Sequence, residues 1–409
     1  MKKKVLCSAL ALGMGFGLAS AAMAGTVTVD EDVLKAMQQQ LAQQAKAIAE
    51  LQKKLSTVPE AGKEEHVAVV THPGKTKVQV SLYGQVNKGV LYADDGNRNK
   101  TFFTDNDASS TRFGIKANVK PGGAWTAGSL MEFEYQTNPS NKVSMDDESV
   151  NEDLHMRKLS VFVDEKDLGR LTVGQYSAAT DGIAEIDLSG TALAGYDDGA
   201  VIGGGLSFYD DLTNSYSGTT VGSVFKDLDG GRYDLVRYDS PKFGGFSLAA
   251  SVGEEDKNEV ALRYAAKFDM LKVAAGIGYA TEGRDSVHDD RWSGSISALL
   301  NNGLNITLAG GVRSEEDDNR DDPSYFYGKI GYQVHAFDIG KTAFSVDYGS
   351  YQDFVLNNDD ATLLGAQLVQ YIDDLSTQFY LGYRLLQLDR DQADLQDVNA
   401  VVSGLRIKF

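Results

Sequence analysis

The stretch VALRYAAKFDMLKVAAGIGY, residues 260–279, decides the fold. In residues 260–268 and again in 271–279, every second residue is apolar or aromatic, and Asp269-Met270 separates the two runs. A period of two is typical of a β-strand with one apolar and one polar face. Each run is about as long as a tilted strand that crosses a membrane, roughly 9–11 residues. The stretch therefore predicts two such strands joined by a short turn.

The same alternation extends from Thr76 to Phe409 and predicts about sixteen antiparallel strands. Aromatic residues cluster near the strand ends on the apolar phase, as in the girdles of a membrane barrel. A soluble β-sandwich with an aromatic core is the alternative, but sixteen strands would then divide into separate domains. Short turns are expected at 121–123, 241–244, 269–270, 301–303 and 373–374, and longer loops at 93–109, 138–152, 282–290, 315–323, 352–360 and 388–398. We therefore predict an all-β transmembrane barrel over residues 76–409, with both barrel ends at the periplasmic face.

The N-terminus predicts export. Three lysines at positions 2–4 precede an apolar run, residues 5–18, and Ala22-Met23-Ala24 completes a signal-peptidase site. This order is typical of a cleaved signal peptide, residues 1–24. A transmembrane anchor is the alternative, but the run is short for a span of about 20 residues.

Residues 25–58 are predicted to form a periplasmic coiled-coil segment. Within 30–58, apolar residues recur at alternating spacings of three and four, which gives a seam of three heptads with Gln44 at one core position. The alternative is a solvated segment with only transient helix, because a short helix is marginal in water without a partner. Residues 59–75 have the composition of a linker.

Composition excludes several classes of function. The whole chain carries 39 basic and 58 acidic residues, and loss of the signal leaves 36 basic residues and a net charge of −22. Such a field disfavours nucleic-acid binding. Cys7, the only cysteine, lies in the signal, so the mature chain has no disulfide or cysteine nucleophile.

No pattern indicates an enzyme, and we predict no catalytic, cofactor-binding or metal-binding residues. The chain has no Gly-x-Ser-x-Gly elbow and no histidine placed to act as a base. The acidic run 315–318 suits Ca²⁺ or Mg²⁺ bridging to lipopolysaccharide phosphates, but such runs are more often solvated loop tips.

The longest connection, residues 177–231, is the first candidate for function. It is rich in glycine and is expected to fold into the barrel, where it would narrow the lumen and select solutes by size and charge. The alternative is a surface loop that never enters the pore. The acidic residues expected at the constriction are Asp181, Glu185, Asp187, Asp197 and Asp198.

Charged residues on the polar phase of the strands are the second candidate. They are expected to line a water-filled lumen, because charge facing lipid would cost a few kcal/mol for each residue. Arginines facing an acidic loop would create a transverse field, whereas in the alternative they pair with carboxylates and hold the barrel shape. The phase near Arg157 and Lys158 is ambiguous, and these two are left out. The predicted pore-lining residues are Arg112, Lys116, Glu132, Glu134, Arg170, Arg237, Arg263, Arg313, Arg384 and Arg406, and the same phase carries Lys329, Asp347 and Lys408.

Two motifs and the C-terminus resemble the general trimeric porins of Gram-negative bacteria. The motifs are GRLTVGQ, residues 169–175, and VRYDSPKFGGF, residues 236–246. The resemblance implies a sixteen-stranded homotrimer in which the third loop, here 177–231, forms the constriction. It also implies that Phe409 is the assembly signal read by the barrel assembly machinery.

The chain departs from that family in two ways. The long loop lacks the acidic Pro-Glu-Phe-Gly-type tip of enterobacterial porins, which leaves the eyelet residues open. Enterobacterial porins also lack an N-terminal coiled coil. A coiled coil before the barrel is similar to the DcaP-like porins, which would imply small anionic or dicarboxylate solutes.

Together these features predict an outer-membrane porin for passive diffusion of small hydrophilic solutes and ions. Its expected partners are outer-membrane lipid and lipopolysaccharide, and no cofactor is expected. The alternative is a non-conducting structural or adhesin barrel tethered to the envelope through the coiled coil. Sixteen strands enclose a lumen wider than side chains can fill, which favours the pore.

Overall fold

The computed structural model describes residues 66–71, 77–150, 153–284 and 286–409, all within one unit, residues 65–409. The predicted signal peptide and coiled-coil segment, and the linker up to residue 65, lie outside the described residues. None of the helices in the described ranges is long and apolar enough to cross a membrane.

Strands dominate the described residues, and the longest connection contains one short α-helix, α1 (Val221–Val224), and two single-turn 3-10 helices, Ala192–Ala194 and Gly199–Val201. The strands are β1 (His66–Thr71), β2 (Lys77–Asp94), β3 (Asn99–Asp105), β4 (Arg112–Gly122), β5 (Trp125–Glu134), β6 (His155–Glu165), β7 (Gly169–Ser177), β8 (Ser207–Asp210), β9 (Ser215–Thr220), β10 (Arg232–Asp239), β11 (Phe246–Gly253), β12 (Asn258–Lys267), β13 (Leu271–Thr281), β14 (His288–Leu300), β15 (Leu304–Glu315), β16 (Ser324–Phe337), β17 (Gly340–Gln352), β18 (Asp360–Ile372), β19 (Thr377–Asp389) and β20 (Val398–Lys408).

The strands form a closed antiparallel barrel of sixteen positions. Eighteen of them belong to one sheet, and only β8 and β9 pair separately. Along one side of β2 lie β1 and then β20, and along the other side lie β4 and then β3. Strands β1 and β20 therefore share one position in the wall, and strands β3 and β4 share another. The eighteen strands thus occupy sixteen positions. The β2–β20 pairing closes the barrel, so each of the sixteen positions has a neighbour on both sides, although β1 and β3 themselves pair only with β2.

The two faces of the wall differ in polarity, as the alternation predicts. In β14, Arg291, Ser293 and Ser295 are buried, whereas Trp292 and Ile296 between and beside them are about half exposed. The exposed apolar residues recur on strand after strand and form a continuous outer band. Such a surface is stable only in contact with hydrocarbon, and the inner face is polar.

At one end of the barrel, the short end, every connection of the described residues has at most six residues, and the predicted turns fall there, whereas connections at the other end range from four residues to the 54 residues of 178–231. Two expectations need correction. The predicted loop 93–109 contains β3, because β2 continues to Asp94 and turns back within four residues. Strand β1 lies inside the range 59–75 assigned to the linker, so the chain enters the wall ten residues before Thr76. The connections at the short end are 123–124, 166–168, 240–245, 268–270, 301–303, 338–339 and 373–376, and the larger ones at the other end are 135–154, 178–231, 282–287, 316–323, 353–359 and 390–397.

A charge placed on the outer band should destabilise the barrel in a depth-dependent way. Ile330, in the middle of β16, and Ile339, in the turn after it, are 56% and 50% exposed. We expect Ile330→Arg to lower the free energy of unfolding in lipid vesicles by about 2–4 kcal/mol and Ile339→Arg by about 0–1 kcal/mol. Urea titration followed by tryptophan fluorescence measures both variants, and equal effects would contradict the assignment of this face to lipid.

Candidate functional site: the barrel lumen and its long loop

The longest connection, residues 178–231, follows the inner face of the wall. It leaves β7, the fifth position of the barrel, and returns to β10. The backbone N–H of Ile186 donates to Ser295 Oγ at 3.0 Å, and that of Leu188 donates to Ser297 Oγ at 2.9 Å. Both serines belong to the buried phase of β14, so this part of the connection lies inside the barrel.

Charged wall residues hold the next part of the connection against β16 and β19. Lys329 Nζ lies 2.7 Å from Asp187 Oδ2 and also donates to the carbonyl of Gly195 at 2.9 Å. Arg384 donates to the carbonyl of Tyr196 at 2.9 Å. Both cations are about 1% exposed. The connection is therefore fixed along a large part of the circumference, from β14 to β19.

The second half of the connection is fixed by an apolar cluster. The rings of Phe208 and Phe225 pack there, and Phe225 meets Tyr351 of β17 edge-on with ring centroids 5.0 Å apart. The inner face of the neighbouring strands is apolar here, which departs from the general rule. The sequence indicates such a region where two successive residues of a strand are both apolar, because one of them then faces the lumen and the other faces lipid. Inward members of the cluster include Leu91, Ala93, Leu363, Leu386, Leu388, Val398, Ala400 and Val402.

The predicted constriction acids differ in their surroundings. Asp187 pairs with Lys329, and Asp181 lies 3.2 Å from the guanidinium of Arg232. Asp197 is buried and accepts a hydrogen bond from the hydroxyl of Tyr325 at 3.1 Å. Glu185 is exposed. In the described part of the chain, no group of three or more His, Cys, Asp or Glu side chains is arranged to hold a metal ion.

The surroundings of these acids shift their pKa values in opposite directions. Burial raises the pKa of Asp198 to about 7, and it raises the pKa of Asp197 well above its usual range. Burial also opposes ionisation of Asp187, but the charge and hydrogen bond of Lys329 outweigh it and hold the pKa of Asp187 below its usual range. The connection therefore carries one carboxyl group whose ionised form is stabilised, Asp187, and others whose ionised form is disfavoured.

Two further acids of this connection were not predicted. Asp229 accepts hydrogen bonds from the backbone N–H groups of Ile183 and Ala184, both at 2.8 Å, and joins the two ends of the connection. Burial raises the pKa of Asp229 to about 6. Asp227 is buried beside it and accepts from the N–H of Asp229 at 3.0 Å. Only their position inside the longest connection distinguishes these aspartates in the sequence.

Glu132 and Glu134, both predicted to line the lumen, form an ion-pair cluster with Arg157. Nε of Arg157 lies 3.0 Å from Glu132 Oε1, and its Nη1 contacts Glu134. Tyr83 donates its hydroxyl proton to Glu132 at 2.8 Å. These carboxylates are neutralised by the wall itself, which matches the alternative in which inward charges pair.

Arg157 was left out of the sequence prediction because of a β-bulge. The register between β5 and β6 shifts between Glu132 and Phe133, so that Arg157 is the extra residue of β6. The bulge brings both Arg157 and Lys158 to the inner face, and Lys158 lies 5.4 Å from the ring centroid of Tyr176. A bulge interrupts the period of two, which explains the ambiguous phase.

The remaining predicted pore-lining residues fall into two groups. Some contact the long connection, and the others contact neighbouring residues of the wall or of its other connections. Arg263 donates to the carbonyl of Asp181 at 2.9 Å. The other contacts are Arg237 with Asp239 and the Ala178 carbonyl, Arg384 with Asp347, Arg313 with Glu315, Arg112 with Ser110, Arg406 with Ser109 and Gln378, and Arg170 with Asp164. Lys116 has no hydrogen bond or ion pair among the described residues.

The C-terminal residue completes the seam of the barrel. The N–H of Phe409 donates to the carbonyl of Gly84 at 3.0 Å, and the carbonyl of Phe409 accepts from the N–H of Gly84 at 2.9 Å. These bonds continue the β2–β20 ladder to its last residue. The side chain of Phe409 is exposed.

One depression of the described surface lies on the outer band rather than in the lumen. It has a volume of about 740 Å³, and its lining includes Phe246, Tyr264, Trp292, Gly310 and Phe326. Its apolar lining faces the hydrocarbon, so it is not part of the path of a hydrophilic solute.

Comparison with known proteins identifies similar barrels. A family model described as Gram-negative porin matches residues 9–391. The anion-selective porin from Comamonas acidovorans is 15% identical with a TM-score of 0.54, and the match covers 81% of this chain and all of that one. OmpT of Vibrio cholerae is 14% identical (TM-score 0.53; 84% and 100% covered), and the channel DcaP of Acinetobacter baumannii is 13% identical (0.51; 81% and 97%). At these identities the likeness to solved structures shows the fold alone. No curated protein sequence matches the chain.

Loss of Lys329 should detach the long connection from β16. Lys329→Met leaves the carboxylate of Asp187 buried without its partner, and breaking a buried ion pair in this way costs about 3–5 kcal/mol. We expect faster amide hydrogen exchange in residues 186–196, with the barrel strands unchanged. Lys272→Met, at an exposed position of β13, is the control. Unchanged exchange in the Lys329 variant would show that the ion pair does not hold this segment.

Proposed function

The chain belongs to the Gram-negative porin family and is an outer-membrane channel, and we propose that it conducts small hydrophilic solutes and ions by passive diffusion through a lumen that residues 178–231 narrow. The observation that carries the proposal is the path of this connection along the inner wall, anchored by Lys329 and Arg384. A segment held in this way reduces the open cross-section without closing it as a mobile lid would.

The charges on the two sides of the remaining lumen support a role in selection. The long connection, which follows β14 to β19, carries nine carboxylic acids from Asp181 to Asp229, and among them Asp198 and Asp229 have pKa values near neutral pH. Among the other strands, β4, β6 and β7 carry Arg112, Lys116, Lys158 and Arg170. Acids on one side and bases on the other would produce a transverse field that orients dipolar solutes as they pass.

The proposal includes the assembly and location of the chain. The signal peptide, residues 1–24, would be removed on export, and residues 25–58 would lie in the periplasm as a coiled coil. We propose a homotrimer, inserted by the barrel assembly machinery through recognition of Phe409 and surrounded by outer-membrane lipid and lipopolysaccharide. One of the similar solved structures is a trimer form of OmpT, which is consistent with this assembly.

Single-channel recording tests the central proposal. Purified, refolded protein in planar bilayers should give conductance steps that close in groups of three, as expected for three pores in a trimer. The reversal potential in a salt gradient measures the charge preference. A verified folded barrel that passes no current would contradict the proposal and would favour the structural barrel tethered through the coiled coil.

The charge preference should depend on pH between 5 and 8. The pKa values of Asp229 and Asp198 are raised to about 6 and about 7, so both carboxyls are largely neutral at pH 5 and ionised at pH 8. Ionisation makes the lumen more negative. We therefore expect the permeability of cations relative to anions to rise with pH, as measured by the reversal potential.

An Asp198→Asn and Asp229→Asn double variant provides the control for this pH dependence. Asparagine keeps an acceptor oxygen for the backbone N–H groups but does not titrate in this range. The variant should show a smaller pH shift of the reversal potential than the wild type. An equal shift in both proteins would assign the titration to other groups.

A further inference from the structure

A second cavity lies on the inner face of strands β2, β4, β6 and β7, away from the anchored path of the long connection. Its volume is about 210 Å³. This is below the range of roughly 300–1,000 Å³ found for sites that bind drug-sized ligands, so it suits a solute with a single ring. The side chains that line it and enter the argument are Tyr83, Lys116, Phe162, Arg170, Thr172 and Tyr176.

The cations of this cavity lack close anionic partners. Lys116 makes no hydrogen bond or ion pair within the described ranges, and Arg170 has only the distant carboxylate of Asp164, at 3.8 Å. The nearby Glu132 is engaged by Tyr83 and Arg157. Two positive charges, of which Arg170 alone has a carboxylate and that one at 3.8 Å, attract an anion to a partly enclosed site, and a carboxylate can accept charge-assisted hydrogen bonds from both.

Aromatic rings form the rest of the lining. The guanidinium carbon of Arg170 lies 4.2 Å from the ring centroid of Phe162, which places the charged group over the ring. The phenol rings of Tyr83 and Tyr176 border the same space. Aromatic side chains pack favourably against the ring of an aromatic solute, and a simple inorganic anion offers no such contact.

Thr172 adds a polar group without a partner. Its hydroxyl is buried and makes no hydrogen bond to the described residues, and the whole residue is 1% exposed. A buried hydroxyl without a partner is unfavourable. A bound carboxylate could provide the missing acceptor after a change of the Thr172 rotamer.

We propose that this cavity is a transit site for aromatic anions, single-ring solutes that carry a carboxylate, and the proposal rests on the channel function proposed above. The carboxylate lies between Lys116 and Arg170, and the ring packs against Phe162 and the two tyrosines. Binding is weak, because a site within a conducting path must also release its solute.

Benzoate in planar-bilayer recordings tests the site, with two partial probes for comparison. Acetate has the charge without the ring, and benzamide has the ring without the charge. In KCl, benzoate should interrupt the ionic current in a concentration-dependent way, with an apparent affinity about tenfold higher than that of either partial probe. Equal effects of benzoate and acetate would overturn the proposal.

Variants assign the effect to the cavity. Lys116→Gln combined with Arg170→Gln should weaken the apparent affinity for benzoate about tenfold, since each cation can donate a charge-assisted hydrogen bond. Phe162→Leu keeps the charges but removes the aromatic ring, and it should lower the apparent affinity for benzoate to nearly that for acetate. Lys120→Gln, an exposed lysine of β4 outside the cavity, is the control and should leave the effect unchanged.

The outcomes separate this proposal from the channel function itself. If the wild-type trimer passes no KCl current, the channel function fails. If it conducts normally but benzoate does not interrupt the current, or interrupts it equally in the double variant, only the transit site fails. Circular dichroism and heat-dependent mobility in gels check that the variants fold. If the Lys116→Gln and Arg170→Gln double variant does not fold, the Phe162→Leu variant tests whether benzoate binds in the cavity.

Discussion

The requirement that every backbone N–H and C=O be paired inside the membrane governs this structure. Hydrocarbon offers no hydrogen bonds, so a sheet that crosses it must close on itself. Here closure occurs where β2 meets β20, and Phe409 extends that ladder through both of its backbone groups to Gly84. Because the wall is closed, its inner face is separated from lipid, and only then can it carry arginine, lysine and glutamate.

The long connection depends on that separation, and two kinds of interaction hold it. Between Ile186 and Tyr196, its backbone and Asp187 bond to serine, lysine and arginine of the wall. Beyond residue 198, aromatic and aliphatic side chains pack against an inner face that is apolar near the long-loop end. Hydrogen bonds and ion pairs hold the first part of the connection at defined positions along the wall, and apolar packing holds the second part. This combination supports the proposal that the connection narrows the lumen permanently and does not act as a gate.

The charged residues of the lumen fall into two groups. Lys329, Arg384 and Arg157 are committed to carboxylates or carbonyls and contribute to the architecture. Lys116 has no ion pair among the described residues and Arg170 has only the carboxylate of Asp164 at 3.8 Å, which is why the proposed transit site uses these two cations. The total count of charges therefore says little about selectivity, since structural ion pairs screen much of it.

The sequence by itself determined the barrel, its number of strands, the phase of most strands and the position of the long connection, because a period of two and turn spacing are local properties of the chain. Tertiary structure decided the rest. The bulge at Arg157 inverts the phase of its strand by one extra residue, which only the pairing with β5 defines. The path of the long connection depends on contacts such as Ile186 with Ser295, which are separated by 109 residues. Partners this distant leave no periodic signal, so sequence could name the acids at 181–198 but not Asp227, Asp229 or the cations that each one meets.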